Sequence, residues 1–469
     1  MRAATLTAMF LGALAAALAM LQAPSDSDLF WHLQTGEWTL DHGQILDRDL
    51  WSFTRSGTPY NTGSWLGDVV MALAYRAGGW VGLDALRALL VGTAAFFTAR
   101  ITLRVQPHAG WAAVPVLGVI LVSRMVWGDR PQLFTLALFP AVLDLLFAAR
   151  LEARVRRLAA IPLLFVVWAN LHNAFVIGLV AVAIFAIDAL LQAKPPLRIR
   201  LPLILVTSLV ATQLNPAGAG AIGRAAAYGA LLPGWIVEDR PLDVLSGAGV
   251  VFAGLLLAAL AAAMLRGREG IAARLSDSAP LLWPGLIATF SILALAIQRE
   301  TPYACMVLAP FVAAMLPDAL GRARASSPFV PRTAAIVVIA ALAAGLSLEI
   351  VAAAPARPDL SAYPTGALDA LRSARGNVLN EYDWGGYLIR YAPEHPTFID
   401  GRGEALFLPD VLDDFQRAVA LAPGYREVLK KWDIAHALLR PDRPLAGALS
   451  EDGWRLAASG SGWVLLSRP

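Results

Sequence analysis

The chain has 469 residues, of which 57% are hydrophobic and only 16% are charged, and its formal net charge is +3. Soluble globular chains carry roughly 25% charged residues, which excludes that class for most of this chain. The basic excess lies in short loops between apolar segments, and the tail from residue 355 is nearly neutral, so the charge pattern does not indicate nucleic-acid binding.

Eleven apolar segments occupy the first 354 residues, and most approach the roughly 20 residues that cross a bilayer core. They lie at about 3–23, 82–103, 109–126, 132–149, 158–170, 174–193, 201–214, 246–265, 280–297, 303–316 and 333–353. Residues 1–23 are either a membrane anchor or a cleaved signal peptide. The sequence therefore predicts an all-α polytopic membrane body of about 11 transmembrane helices in residues 1–354.

Basic residues mark every second loop when the N-terminus is placed in the cytoplasm. They lie in the segments 100–104, 150–157, 194–200, 266–274 and 322–332. Because cytoplasmic loops carry an excess of Lys and Arg, we expect a cytoplasmic N-terminus and a tail on the opposite side.

The loops on that opposite face carry unusual polar residues close to the ends of apolar segments. Arg130, His172 and Arg299 are the clearest cases. A charge at mid-membrane costs about 2.5–3.5 kcal/mol, and less near the interface. Polar loops alone explain Ser, Asn and Gly there, but these three residues favour a shared polar cavity on the outer face.

The first outer loop, residues 24–81, predicts helices that lie on the membrane surface. Residues 29–38 mix large apolar side chains with His32 and Glu37, and residues 64–77 are apolar except for Asp68 and Arg76. Gly78 and Gly79 then interrupt the pattern before the next span. This arrangement is typical of interfacial helices within the transmembrane domain.

The tail, residues 355–469, is predicted to be a small C-terminal α/β extracytoplasmic domain. Its composition is that of an ordinary soluble domain. We expect strands at 377–380, 396–400, 434–439 and 462–466, and helices at 408–420 and 424–432.

Asp26 and Asp28, directly after the first span, are the strongest local signal for chemistry. A carboxylate at a membrane surface can bind a divalent cation such as Mg²⁺ or Mn²⁺, or act as a general base. The spacing alone favours a cap on the following helix. Both readings stay open at this point.

Several short stretches resemble the GT-C superfamily of membrane glycosyltransferases, and within it a group of poorly characterised bacterial membrane proteins. They are Asp26-Ser27-Asp28 with the following residues to Leu33, the stretch 168–173, Asn215-Pro216, Glu238-Asp239-Arg240-Pro241, Arg299, the stretch 381–388 and Phe398-Ile399-Asp400-Gly401-Arg402. The tail stretches also distantly resemble the Trp-Trp-Asp-Tyr-Gly region of oligosaccharyltransferase catalytic subunits. Tyr382 replaces its second Trp, and Trp384 replaces its Tyr.

The resemblance implies an inverting glycosyltransferase that uses a polyprenyl-phosphate-linked sugar at the outer face of the bacterial inner membrane. It implies Asp26 or Asp28 as base or metal ligand, with a divalent cation as the one possible cofactor. The expected partners are the lipid-linked donor, membrane lipids and a glycan, lipid or protein acceptor, with no nucleic acid.

The resemblance also implies further site residues, each with a structural alternative. Candidate donor-phosphate contacts are Arg130, Arg240, Arg299 and His172, since Arg offers a planar, permanently charged donor set. The arginines could instead pair with the neighbouring Asp129, Asp239 and Glu300. Candidate acceptor or cavity contacts are His32, Glu238, Asp383, Trp384, Asp400 and Arg402. The last four could instead serve domain structure, with Asp400-Gly401 as a turn and Arg402 paired locally.

Two rival functions remain open from the sequence. A transporter or flippase of lipid-linked saccharide would need charged groups deep in the membrane, and Asp144 and Asp188 lie toward the cytoplasmic ends of their spans. A non-catalytic envelope assembly protein would have no chemical need for Asp26 and Asp28.

Overall fold

The computed structural model describes residues 2–24, 26–192, 196–223, 237–275, 281–324 and 359–469. The predicted span at 333–353 lies outside the described residues. The chain divides into two compact units. The helical unit comprises residues 1–23 and 84–356, and the mixed unit comprises residues 24–83 and 357–469.

Long apolar helices dominate the first two thirds of the chain, because helices satisfy every backbone polar group internally in lipid. They are α1 (Arg2–Met20), α2 (Leu29–His42), α3 (Trp65–Val105), α4 (Ala109–Ser123), α5 (Gln132–Glu152), α6 (Ala160–Leu171), α7 (Phe175–Gln192), α8 (Leu197–Ala211), α9 (Gly247–Leu275), α10 (Leu282–Ala296) and α11 (Thr301–Arg324). A helix covers most of every predicted span up to residue 316.

Within the described residues, five helical stretches are long and apolar enough to cross a membrane. They are Ala3–Met20, Trp65–Val105, Ala109–Val126, Gln132–Glu152 and Gly247–Met264. Two shorter apolar helices, Phe175–Leu191 and Leu282–Ala296, accompany them. The predicted helical membrane body is confirmed, and the count of about 11 crossings stays a prediction.

The break predicted at Gly78-Gly79 is confirmed inside α3. Gly79 has φ 57° and ψ −139°, a combination open to glycine but strained for residues with a Cβ. The α3 residues before Gly79, predicted to lie on the membrane surface, are therefore separated from the predicted span by a non-helical residue.

The core of the helical unit is a continuous apolar cluster. Large aromatic side chains such as Phe139, Phe147 and Trp168 are fully buried in it. Other large apolar side chains, including Leu163 and Leu257, are exposed on the outside of the bundle. An apolar exterior of this kind suits contact with lipid tails.

Buried ion pairs join helices within this unit. Arg87 pairs with Asp84 and Asp129. Asp144 lies 3.0 Å from Arg104, and Asp188 lies 3.3 Å from Arg150. The two acids that a transporter would need are thus each compensated by an arginine on another helix, as structural pairs are.

The mixed unit contains a four-stranded sheet with the order β1-β2-β4-β3. The strands are β1 (Asn377–Asn380), β2 (Ile434–Leu439), β3 (Arg455–Gly460) and β4 (Trp463–Ser467). β1 is parallel to β2, and the other two pairings are antiparallel. The tail helices are α12 (Leu368–Ser373), α13 (Gly385–Tyr391), α14 (Glu404–Phe407), α15 (Asp410–Val419), α16 (Tyr425–Lys431) and α17 (Pro444–Glu451).

Most predicted tail elements are confirmed, but one predicted strand is wrong. Residues 396–400 form no strand, and Thr397 instead makes a single parallel bridge to Ser52. β3 was not predicted, because this edge strand is exposed along most of its length and lacks an apolar alternation.

The first outer loop packs with the tail inside the mixed unit. The Thr397 N–H donates to the Trp51 carbonyl at 2.8 Å, and the Thr54 hydroxyl donates to the Phe398 carbonyl at 2.7 Å. Arg390 forms a two-point ion pair with Glu37 at 2.7 and 3.1 Å. Residues 24–83 are therefore part of the folded tail domain, a packing that the sequence analysis did not anticipate.

Candidate functional site

Asp26 and Asp28 have different tasks in the turn that starts α2. The Asp26 Oδ1 accepts the backbone N–H of Asp28 at 3.0 Å. Asp28 occupies the N-cap position, yet its side chain makes no capping hydrogen bond. The cap expected from the spacing is thus supplied by Asp26, and the Asp28 carboxylate is directed elsewhere.

The Asp28 carboxylate lies directly against the backbone of Gly401. A Cβ placed on Gly401 would lie 1.8 Å from Asp28 Oδ1 and 3.0 Å from Trp31 Nε1. A Cβ on Gly386 would lie 2.7 Å from the Ser27 carbonyl oxygen. Glycine is required at both positions for this approach. Two tail motifs therefore form a cradle, Gly386 and Gly401, that sets the position of the acidic turn.

Arg402 and Asp400 hold this cradle from the interior of the mixed unit. Arg402 donates to both carboxylate oxygens of Asp400 at 2.7 Å and also to Asp49 in the first outer loop. The guanidinium lies over the Trp51 ring at 5.3 Å. Burial alone would lower the pKa of Arg402, but Asp400 and Asp49 outweigh it and raise that pKa. Both predicted acceptor contacts are completely buried, so here they support the turn.

The other predicted tail residues divide between the core and the surface. Trp384 is buried and donates its indole N–H to the Ala362 carbonyl at 2.9 Å. Asp383 is exposed and lies 3.0 Å from Arg440.

Tyr363 connects Asp383 with the acidic turn. Burial raises the pKa of the Tyr363 phenol, and the charges of Asp26, Asp383 and Asp28 raise it further. Three of the predicted carboxylates therefore act on one phenol, and the mixed unit brings them into one neighbourhood.

His32 belongs to a buried pair that sequence analysis missed. Its Nδ1 lies 2.6 Å from Asp68 Oδ1, and its ring stacks on Trp31 with centroids 3.6 Å apart. The Ser64 hydroxyl donates to the same carboxylate at 3.3 Å. The sequence contained one signal for this pair, because Asp68 is an acidic residue that interrupts an apolar segment. Because Asp68 orients the imidazole, His32 is fixed one helical turn after Asp28.

A second cluster lies within the helical unit, where two short 3₁₀ turns meet. Val237–Asp239 and Gln298–Glu300 are joined by the Gln298 N–H, which donates to the Arg240 carbonyl at 2.9 Å. Arg130 pairs with Glu238, and Arg299 Nη1 lies 2.9 Å from Asp239 Oδ1. The three predicted arginines are thus brought together, with Glu238 among them.

Burial raises the pKa values of two acids in this second cluster. It raises the pKa of Glu300 to about 7, with Arg299 opposing the change and Asp239 adding to it. It also raises the pKa of Asp239, against the attraction of Arg299. The Glu300 Oε2 atom is buried with no hydrogen-bond partner among the described residues. A protonated Glu300 would present a donor beside the arginines.

His172 lies at the end of α6 and bonds to α5. Its Nδ1 is 2.9 Å from the Thr135 hydroxyl, which itself accepts the Trp168 indole N–H at 2.8 Å. The backbone N–H of Ala174 donates to the same Nδ1 at 3.4 Å, so Nδ1 is an acceptor, and the proton of a neutral imidazole lies on Nε2. This tautomer offers an N–H donor, as a phosphate contact requires.

A metal at Asp26 and Asp28 stays a prediction. The described residues contain no group of three or more His, Cys, Asp or Glu side chains that could hold a metal ion. Two carboxylates can still bind Mg²⁺ when water and substrate oxygens complete its shell.

Comparison with known proteins identifies the fold of this chain. No protein-family model and no curated protein matches the chain, but solved structures of GT-C membrane glycosyltransferases do, and the chain has their fold. Identity is 14% or lower, so the similarity concerns the fold alone.

Three of the similar structures cover 93% or more of this chain. The Archaeoglobus fulgidus oligosaccharyltransferase tethered to an acceptor peptide has 12% identity and a TM-score of 0.61, covering 93% of this chain and 69% of that one. The archaeal oligosaccharyltransferase AglB from Archaeoglobus fulgidus, in complex with an inhibitory peptide and a dolichol-phosphate, has a TM-score of 0.55 at 12% identity and the same coverage. ArnT from Cupriavidus metallidurans bound to undecaprenyl phosphate has 14% identity and a TM-score of 0.54, covering 97% of this chain and 96% of that one.

Proposed function

We propose that this protein is an inverting glycosyltransferase with Asp28 as its catalytic carboxylate. It transfers a sugar from a polyprenyl-phosphate-linked donor to an acceptor of the cell envelope. The observation that carries the proposal is the placement of the Asp28 carboxylate against Gly401. The fold supports the class, since ArnT binds undecaprenyl phosphate and AglB binds dolichol-phosphate.

Asp28 suits the role of general base better than Asp26. The Asp26 carboxylate accepts the backbone N–H of Asp28 and so fixes the turn, whereas the half-buried Asp28 carboxylate lies against the backbone of Gly401. In the proposed reaction the acceptor atom attacks the anomeric carbon, and the bond from that carbon to the phosphate oxygen breaks. The acceptor proton passes to Asp28, and the polyprenyl phosphate leaves with the electron pair. If the two carboxylates instead held a divalent cation that stabilised the charge on the leaving phosphate, Asp26→Asn and Asp28→Asn would both lose transfer, and the loss would depend on Mg²⁺ or Mn²⁺.

The arginine cluster supplies the proposed phosphate contacts. Arg130 and Arg299 are only partly buried, with 15% and 30% of their side chains exposed, so a ligand can reach them. Guanidinium groups match phosphate oxygens in charge and geometry. His172, with a donor at Nε2, adds a neutral contact.

The charge pattern supports a location for this reaction. Loops rich in Lys and Arg favour a cytoplasmic N-terminus. With that orientation the mixed unit lies outside the cytoplasm, periplasmic or extracellular, where a lipid-linked donor takes the place of a nucleotide sugar.

The test compares Asp28→Asn with Asp26→Asn in the purified full-length protein. Asn caps helices as well as Asp, so Asp26→Asn preserves the turn and serves as the matched control. Radiolabelled polyprenyl-phosphate sugars are incubated with a cell-envelope extract, with and without Mg²⁺ or Mn²⁺. Since a general base contributes about 10²–10⁴-fold, we expect Asp28→Asn to lower transfer by that factor and Asp26→Asn by much less.

Two outcomes would contradict the proposal. Folded Asp28→Asn protein with wild-type transfer would remove Asp28 from the chemistry. Wild-type protein that turns over none of the lipid-linked donors would favour transport or an assembly role.

A further inference from the structure

The acids beside the predicted phosphate-binding arginines are consecutive residues on one turn. Glu238 pairs with Arg130, and Asp239 lies beside Arg299. Together with Arg240 and Glu300, the cluster contains three formal positive and three formal negative charges. The guanidinium groups of Arg130 and Arg299 are therefore already in contact with carboxylates of the chain.

The backbone keeps these pairs in place. The Leu242 N–H donates to the Leu295 carbonyl at 3.2 Å, and the Gln298 side-chain amide donates to the Val237 carbonyl. The turn that carries Glu238 is thus bonded to the end of α10 and to the following 3₁₀ turn. These bonds fix the backbone of Glu238, so that its side chain can reach Arg130.

The two acids differ in their exposure to solvent. The side chain of Asp239 is only 7% exposed, whereas that of Glu238 is 35% exposed. A buried partner of Arg299 is costly to displace, because displacement leaves a charge uncompensated. A partly exposed carboxylate can turn into water at small cost. The Glu238 side chain is therefore the one that can move away from its arginine.

We propose that Glu238 is an internal counter-anion that the lipid phosphate displaces from Arg130. The proposal rests on the proposed function, since it assumes that Arg130 binds the donor phosphate. Carboxylate and phosphate both bind guanidinium through paired oxygens, so one edge of Arg130 serves one of them at a time. Donor entry exchanges Glu238 for a phosphate oxygen, and return of Glu238 to Arg130 favours release of the polyprenyl phosphate product.

The experiment measures binding of undecaprenyl phosphate to the full-length protein in lipid nanodiscs. The variants are Glu238→Gln, Arg130→Gln and the double variant. Asp243→Asn is the matched control, because Asp243 lies in the same segment and caps a turn through the Leu245 N–H at 2.9 Å. It removes the same formal charge without touching Arg130.

We expect Glu238→Gln to lower the Kd about five- to tenfold, because it removes the competing partner of a partly exposed pair. Asp243→Asn should change the Kd less than about twofold, because it removes an isolated surface charge. Arg130→Gln should raise the Kd, and Glu238→Gln should bring no gain in the Arg130→Gln background. At saturating donor, turnover of Glu238→Gln should fall because product leaves more slowly.

The outcomes separate this proposal from the proposed function. Weaker or unchanged binding by Glu238→Gln, with binding still dependent on Arg130, would overturn the counter-anion and leave the enzyme assignment standing. A gain that persists in the double variant would also overturn it. Unchanged binding by Arg130→Gln would remove the arginine site itself and the exchange with it.

Discussion

Replacing Gly401 by alanine tests whether the tail positions Asp28, the proposed catalytic carboxylate. The substitution adds one methyl group where the Asp28 Oδ1 now lies, at only 1.8 Å from the new Cβ. Gly401 is absent from the residues with a positive φ, so its backbone conformation is open to alanine. The perturbation is therefore local and acts on the carboxylate.

The size of the displacement follows from ordinary contact distances. A carbon and an oxygen in contact stand about 3.3 Å apart, so the Asp28 Oδ1 must retreat by about 1.5 Å. Misplacing a reacting group by about 1 Å can cost about 100-fold in rate. We expect Gly401→Ala to lower kcat by about 100-fold or more.

The assay is sugar transfer under the conditions used for Asp28→Asn, together with thermal unfolding followed by tryptophan fluorescence. Gly447→Ala is the matched control, because Gly447 lies in α17 of the same domain and a Cβ there meets nothing within 4 Å. Alanine in a helix interior is favoured over glycine by roughly 0.5–1 kcal/mol, so the control should keep its activity and unfold no earlier.

Gly401→Ala protein that transfers sugar at half the wild-type rate or better, with an unchanged Tm, would refute the reasoning. The Asp28 carboxylate would then tolerate a shift that no general base tolerates.

Two further predictions concern stability. Arg402→Met leaves Asp49 and Asp400 buried without their cation and should lower the free energy of unfolding by about 3–5 kcal/mol. Arg468→Met, in an exposed pair, should lower it by at most about 1 kcal/mol in the same unfolding assay. Equal losses of stability would show that the buried cation has no special role. Glu300 has a pKa of about 7 in the folded protein against an ordinary 4.5, so the folded state binds its proton more tightly than the unfolded state. Its burial therefore costs nothing below pH 4.5 and destabilises increasingly as pH rises to 7, and Glu300→Gln should flatten the decline of Tm across that window. A parallel decline in both proteins would assign the effect to other groups.

The helices of the helical unit were largely predictable, because what makes an apolar segment helical in lipid depends on that segment alone. In lipid, a backbone without an internal hydrogen bond is so costly that each long apolar segment becomes a helix. The break at Gly79 was predictable for a similar reason, since two consecutive glycines interrupt a helix wherever they occur. The tail was less predictable: residues 396–400 have strand-like composition, but their partner is Ser52 and not a neighbouring strand.

The sequence predicts which residues belong to the candidate site, but not which partners they contact. Asp26, Asp28 and the arginines stand out as charges in apolar surroundings, and a pattern of that kind can be read from the chain. Their partners cannot be read in this way, because Asp49 and Arg402 are 353 positions apart and His32 and Asp68 are 36 apart. Which acid caps the helix and which faces Gly401 depends on atomic positions that no spacing encodes.

The composition of the mixed unit has a consequence for biosynthesis. Residues 24–83 are translated before the helical residues 84–356, while residues 357–469, with which they fold, are translated after them. Glu37 and Asp49 cannot pair with Arg390 and Arg402, and the acidic turn cannot meet Gly386 and Gly401, until the intervening residues 84–356 have been made. Such distant pairings fold slowly, because chain entropy is lost before contacts compensate it. The proposed catalytic carboxylate of Asp28 therefore reaches its position against Gly401 only after the intervening helical unit has been synthesised.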